Sequence, residues 1–178
     1  CEFCGYKSNE VKSSGAVPEQ GTRWTLAVEK EDDLSRDVLK SSSTVLSVPE
    51  IELEVTAGTL GGFFSTVQGT LQQVHDSLSS TKHFNSAFSS GDSASVNTEQ
   101  QERNVSPMKV FLDKLKRLID GEVFPFTVIL DDPMSAAYVQ NPRAHLEPPH
   151  NSDPQLTVER YTRSEAQDDE LGIRDAVC

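Results

Sequence analysis

Apolar and polar positions alternate from Thr22 to Val28, with Trp24, Leu26 and Val28 on one face and Arg23 and Thr25 on the other, which predicts a half-buried strand. The same period returns where Ile51, Leu53 and Val55 alternate with Glu50, Glu52 and Glu54. Pro49, with no N–H to give a ladder, suits the start or the edge of that second strand. Between the two, Leu34, Val38 and Leu39 fall at helical spacing and predict a short helix within Asp32 to Lys40. Gly61-Gly62 breaks the pattern and reads as a hinge. After it, Phe63, Val67, Leu71, Val74 and Leu78 recur every three or four residues, one stripe of an amphipathic helix, despite Gly69 within it.

From Ser79 to Arg103 the chain is Ser-rich and nearly aperiodic, which predicts a mobile loop. Ser106-Pro107 then supplies a helix cap and a first-turn proline, Met108, Phe111, Leu112, Leu115, Leu118 and Ile119 the stripe, and Gly121 the stop. Two such helices joined by a flexible loop pack most simply as a hairpin, stripe against stripe. Strand pattern resumes from Val123 to Leu130, followed by a turn at Asp131-Asp132-Pro133 and a short Ala137-Tyr138-Val139. A last strand runs from Leu156 to Tyr161, and Ser164 with Gln167 forms a capping box for a short acidic helix ending at Gly172. Strands on both sides of a hairpin argue for a single β-sandwich or barrel with an α insertion, because isolated strand pairs are unstable.

The order of elements divides the chain into a polar N-terminal part at 1–18, a β-domain at 19–60 and 122–163, an inserted helical hairpin at 61–121 with its Ser-rich loop at 79–103, and an acidic helix and tail at 164–178. A net charge of −12 makes the electrostatic term of nucleic-acid binding repulsive, so a basic protein partner is the better expectation. The longest apolar run, Val123 to Leu130, is far below the roughly 20 residues of a spanning helix, so no membrane is expected. Three cysteines make no disulfide framework, and with no secretory leader at its start the chain reads as intracellular and cut from something longer.

Several strings act together: CEFCG at Cys1, NEVKSSGAV at Asn9, GTRWTL at Gly21, VPEIELEV at Val48, LGGFFSTVQGTL at Leu60, FTVILDDP at Phe126, VERYTRS at Val158 and DELGIRD at Asp169. In content and order they resemble the eukaryotic ZPR-type zinc-finger protein family, and the likeness is to its second, C-terminal module. The resemblance implies a double-stranded β-helix, jelly-roll-like in build, with an inserted helical hairpin. It also implies a role in binding and folding translation elongation factor one-alpha, movement between cytoplasm and nucleus, and zinc in the complete protein. One departure stands out. Where members continue Asp-Asp-Pro with one residue and then Gly-Asn-Ser, this chain has Met134 and then Ser135-Ala136-Ala137.

In the family two Cys-x-x-Cys pairs build the finger, and Cys1 and Cys4 fall on the second pair; the first is absent from this chain. A structural zinc wants four ligands in a closed tetrahedron, so two thiolates hold it weakly. Three readings remain open: orphan ligands at a boundary inside the finger, a local site completed by Cys178 or a histidine, and a redox pair. The first is favoured, because Cys178 lacks paired spacing and no helix pattern follows Cys4 to activate a thiol.

Asp131 and Asp132 with His145 and His150 are the candidates for a metal-dependent enzyme on a jelly-roll scaffold. The blander reading is a turn and a Pro-rich loop, since no HxH, HExxH or nucleophile motif accompanies them. His75 and His83 are lone histidines, and the acidic runs Glu31-Asp32-Asp33 and Asp168-Asp169-Glu170 read as solvated faces. Gly61-Gly62 lacks the Lys-Ser/Thr of a phosphate loop. The expectation is therefore a non-catalytic binding module for elongation factor one-alpha, with Arg23, Phe63, Phe64 and Phe111 as candidate partner contacts. The rival to it, besides the enzyme, is a structural adaptor with several partners in growth signalling.

Overall fold

A computed structural model describes residue 3, residues 16–88 and residues 107–173, with side chains placed throughout these except at 81–88. Cys1, Cys4, Cys178, the NEVK string, Ser106 and the remainder of the Ser-rich stretch lie outside the described residues. The elements are β1 (Gln20–Val28), α1 (Glu31–Leu34), β2 (Asp37–Lys40), β3 (Val45–Val48), β4 (Leu53–Val55), β5 (Phe63–Thr66), α2 (Val67–Phe88), α3 (Pro107–Ile119), β6 (Phe126–Asp132), β7 (Tyr138–Val139), β8 (Leu156–Thr162) and α4 (Glu165–Glu170).

All described pairings are antiparallel and form two sheets, a five-stranded one ordered β4-β3-β6-β1-β8 and a three-stranded one ordered β5-β2-β7. Alternation aims Leu26, Val28, Leu46, Val48, Val128 and Leu130 of the larger sheet and Val38 and Val139 of the smaller one into a single core. Helices α2 and α3 close that core with Val67, Leu71, Val74, Leu115, Leu118 and Ile119. The Gln68 amide donates to the Ile119 carbonyl at 2.9 Å, joining the start of α2 to the end of α3. The mainly β architecture with an inserted helical hairpin is thus the expected one.

Four local expectations change. The helix expected within Asp32–Lys40 is only the turn α1, and Val38 and Leu39 belong to β2. Its inward positions are Val38 and Lys40, so a buried lysine hid the strand period. The strand expected at Ile51–Val55 is the second half of a hairpin: β3 pairs with β4 across a helical turn at Pro49–Ile51, with Glu52 in the left-handed region at φ 55°. Serine-rich sequence before Val45 concealed the first half. Phe63 does not start the long helix but lies in β5, and α2 begins at Val67, whose N–H donates to the Arg36 carbonyl at 2.9 Å. The helix then continues to Phe88, into the stretch expected to be loop. Gly69 leaves room for Ser65, since a Cβ there would stand 2.2 Å from its hydroxyl.

The fourth change concerns Asp131 and Asp132. Strand β6 starts only after Pro125 and runs through both aspartates, so the turn falls on Pro133 to Ser135. Ser135 adopts φ 50° where the resembling family carries glycine, and it keeps this left-handed turn with its hydroxyl on the Gln20 carbonyl at 2.6 Å. Elsewhere the expectations hold closely. Helix α3 buries Leu112, Leu115, Leu118 and Ile119, and the Ser164–Gln167 capping box opens α4.

Candidate functional site

Consecutive residues of a strand point to opposite faces, and β6 uses this to separate its two aspartates. Asp131 faces outward, opposite Arg23 of β1. It accepts from Arg23 Nη2 at 2.6 Å and Nε at 3.0 Å, and from the Tyr161 hydroxyl at 2.5 Å. The Arg23 guanidinium also stands 5.9 Å from the Tyr161 ring centroid. Burial, then the hydrogen bond to Asp131, push the Tyr161 hydroxyl well above its ordinary range. Gly21 makes this possible, because a Cβ there would lie 2.4 Å from the Tyr161 ring.

Asp132 faces inward and is fully buried. It accepts from the Ser41 hydroxyl at 2.9 Å, the Ser43 hydroxyl at 2.6 Å, and the backbone N–H groups of Met134, Ala136 and Ala137 at 3.0, 2.8 and 2.7 Å. Five donors occupy its lone pairs, so it ties the 41–44 loop to the 133–137 turn and presents no free lone pair to a substrate. Nearby Lys40, also fully buried, donates to the carbonyls of Ser41, Thr59 and Gly61 at 3.2, 3.1 and 3.2 Å. Burial lowers its amine below the ordinary value, partly offset by Asp132.

A third polar centre joins distant segments. Arg36 Nε donates to Asp33 Oδ1 at 2.9 Å, Nη1 to Asp153, and Nη2 to Gln155 Oε1 at 2.7 Å. The other Asp33 oxygen accepts from the N–H groups of Glu29 and Lys30 at 3.1 and 3.2 Å and from the Gln155 amide at 2.8 Å. Burial raises the Asp33 carboxyl, but these bonds and Arg36 outweigh it and hold it below its ordinary value. The run Glu31-Asp32-Asp33 is therefore not wholly a solvated face.

The candidates named from sequence are not brought together. Arg23 is engaged by Asp131 on the outer face of the large sheet. Phe63 is buried at 3% exposure and unavailable to a partner, whereas Phe64 beside it is 50% exposed. Phe111 lies on α3, partly buried against the core. Phe64 instead shares a row across the small sheet with Leu39 and the exposed Tyr138, whose ring meets Trp24 edge-on with centroids 5.6 Å apart. That row escaped the sequence reading, although the alternation Ala137-Tyr138-Val139 already marked Tyr138 as the outward residue. Asp131 and Asp132 point to opposite faces and His145 and His150 sit exposed on turns, so the imagined metal-dependent enzyme site does not form. Among the described residues no group of three or more His, Cys, Asp or Glu is placed to hold a metal ion.

Two antiparallel sheets around one core, an inserted helical hairpin and polar centres saturated by architectural contacts define a jelly-roll-like β-domain. The ZPR1 jelly-roll domain family matches residues 32–173, and the chain belongs to that family. It is 45% identical over 98% of its length to the "Zinc finger protein ZPR1 homolog" of Caenorhabditis elegans and covers 35% of that relative. It is 42% identical over 98% of its length to the "Zinc finger chaperone zpr1" of Schizosaccharomyces pombe, covering 35% of it. It is 39% identical over 98% of its length to the human "Zinc finger protein ZPR1", covering 34% of it. The chain thus spans about a third of the length of these curated relatives. Their names place a zinc finger in those proteins. In this chain the residues that would contribute to one, Cys1 and Cys4, supply two of the four ligands a structural zinc needs, and both lie outside the described residues.

Proposed function

We propose that this chain is the protein-binding β-domain of a chaperone or assembly factor that works without catalysis, with translation elongation factor one-alpha as its client in cytoplasm and nucleus. The observation that carries this reading is the 42% identity over 98% of the chain to a relative named as a zinc finger chaperone. Saturation of Asp132, Arg36 and Lys40 by structural contacts supports the non-catalytic half, since a general acid or base needs a free site toward its substrate. The half-exposed Phe64, in a row with Leu39 and Tyr138, is an apolar member of the expected contact set that a client can reach.

The test is capture of purified elongation factor one-alpha, folded and during refolding, by the immobilised chain and by a longer protein that includes it. Capture strongest during refolding is the expected result, weakened about tenfold by Phe64→Asp, the size of one good interface contact. Absence of capture by the longer protein overturns the client assignment.

A further inference from the structure

A groove of about 750 Å³ lies between α4 and the outer face of the five-stranded sheet. Val45 and Ile129, outward residues of β3 and β6, give it an apolar floor, and Leu171 adds apolar surface beside α4. Glu54 of β4 lines one side and Glu170 of α4 the other. Asp131, also on its surface, is already neutralised by Arg23. Glu54 and Glu170 are exposed and have no ion-pair partner among the described residues.

We propose that this groove binds an extended, basic segment of a protein partner, with Lys or Arg side chains taken by Glu54 and Glu170 and an apolar side chain between them seated on Val45 and Ile129. The inference deepens the reading of the chain as a protein-binding module and rests on it. Its size lies within the roughly 300–1,000 Å³ of ligand sites. Charge decides the class of occupant. Two unpaired carboxylates in a chain of net charge −12 attract cations and repel phosphate-bearing ligands. An extended strand alternates side chains with period two, which suits acidic walls around an apolar floor.

The wall on the α4 side is fixed before any partner arrives. Arg163 Nε donates to Asp168 at 2.7 Å, while its Nη1 donates to the carbonyls of Pro18 and Pro133 at 2.5 and 3.1 Å. The Ser164–Gln167 capping box sets the start of the helix. A preformed wall lowers the ordering cost of binding.

Fluorescence anisotropy with the 178-residue chain tests the proposal, using a labelled peptide that alternates Lys or Arg with Val, and a charge-reversed peptide with Glu in place of the cations. Saturable binding of the basic peptide alone is expected, weakened at least about tenfold by Glu54→Lys with Glu170→Lys and nearly unchanged by Glu50→Lys, an exposed carboxylate that does not line the groove. Circular dichroism confirms that each variant is folded; because both groove residues are exposed, the milder Glu54→Gln with Glu170→Gln serves as a second pair. Equal weakening by Glu50→Lys, or binding of the charge-reversed peptide, overturns the proposal, since either places the peptide outside the groove. Full binding by both groove pairs does the same. Elongation factor capture separates the two readings. Capture that survives the groove variants, with peptide binding also intact, leaves the chaperone reading standing and removes the groove; peptide binding at the groove without any client capture supports the groove and removes that client.

Discussion

Asp131 and Asp132 are adjacent and chemically identical, yet their surroundings differ so much that the same substitution has different costs. Asp132→Ala strands buried donors from two serines and three backbone N–H groups, each unmet donor costing about 1–3 kcal/mol, so a loss of about 3 kcal/mol or more in urea denaturation is expected. Asp131→Ala, on the outer face with the half-exposed Arg23, is expected to cost about 1 kcal/mol. Lys40 sets a pH dependence. Its folded amine lies below the ordinary 10.5, so between that depressed value and 10.5 the unfolded chain binds more protons and stability rises with pH. Tyr161 acts oppositely: its folded hydroxyl keeps the proton above the ordinary 10.0, so stability falls as pH climbs past that value. Denaturation of Tyr161→Phe, with and without Lys40→Met, across the alkaline range isolates the lysine; the rise should vanish in the variant that carries both substitutions.

The β1–β8 pair and the helical hairpin show how elements depend on one small residue or one buried stripe. Gly21→Ala drives a methyl into the Tyr161 ring, which must leave Asp131 and Arg23, and a loss of roughly 1–3 kcal/mol is expected from this overpacking. A change in Tyr161 fluorescence or near-ultraviolet dichroism would accompany it; an unchanged signal with unchanged stability would show that β8 moves freely. In α3, Leu115 is fully buried and Val110 is 42% exposed. Leu115→Ala should cost about 2–5 kcal/mol and Val110→Ala less than about 0.5 kcal/mol, by thermal or urea unfolding. The stripe that predicts this contrast was legible at once, because period 3.6 is a local property. Strand β2 was not, because its inward Lys40 breaks the apolar alternation and is satisfied by the neighbouring Ser41 carbonyl together with those of Thr59 and Gly61 in a later loop.

At the scale of the whole molecule, Arg36 is the tie between the segment after α1 and the loop before β8. Arg36→Leu leaves Asp33 and Asp153 buried without a cation, which should cost about 3–5 kcal/mol in urea unfolding. Arg36→Lys should recover only part of this, since an ammonium cannot make the three directed contacts of the guanidinium. The acid side carries the matching signature. Asp33 contributes its stability above the ordinary 3.8, and that contribution disappears as pH falls through its lower folded value; Asp33→Asn should blunt the loss. Nothing near Arg36 in sequence announces Asp153, 117 residues away, and so the pair could not be read from local pattern.

The sequence by itself determined the β-domain with its inserted hairpin, the strands β1 and β8, helix α3, the capped α4 and the family, because periodicity, caps and ordered strings are local and need no partner to be read. It also separated Trp24 from Arg23 by face. Only the tertiary structure decided which charges are architecture and which remain for a partner. Asp33, Arg36, Lys40 and Asp132 look in sequence like Glu54 and Glu170. Folding buries the first group against groups remote in the chain, where leaving a charge unmatched is costly, and leaves the second pair exposed on the lining of an open groove.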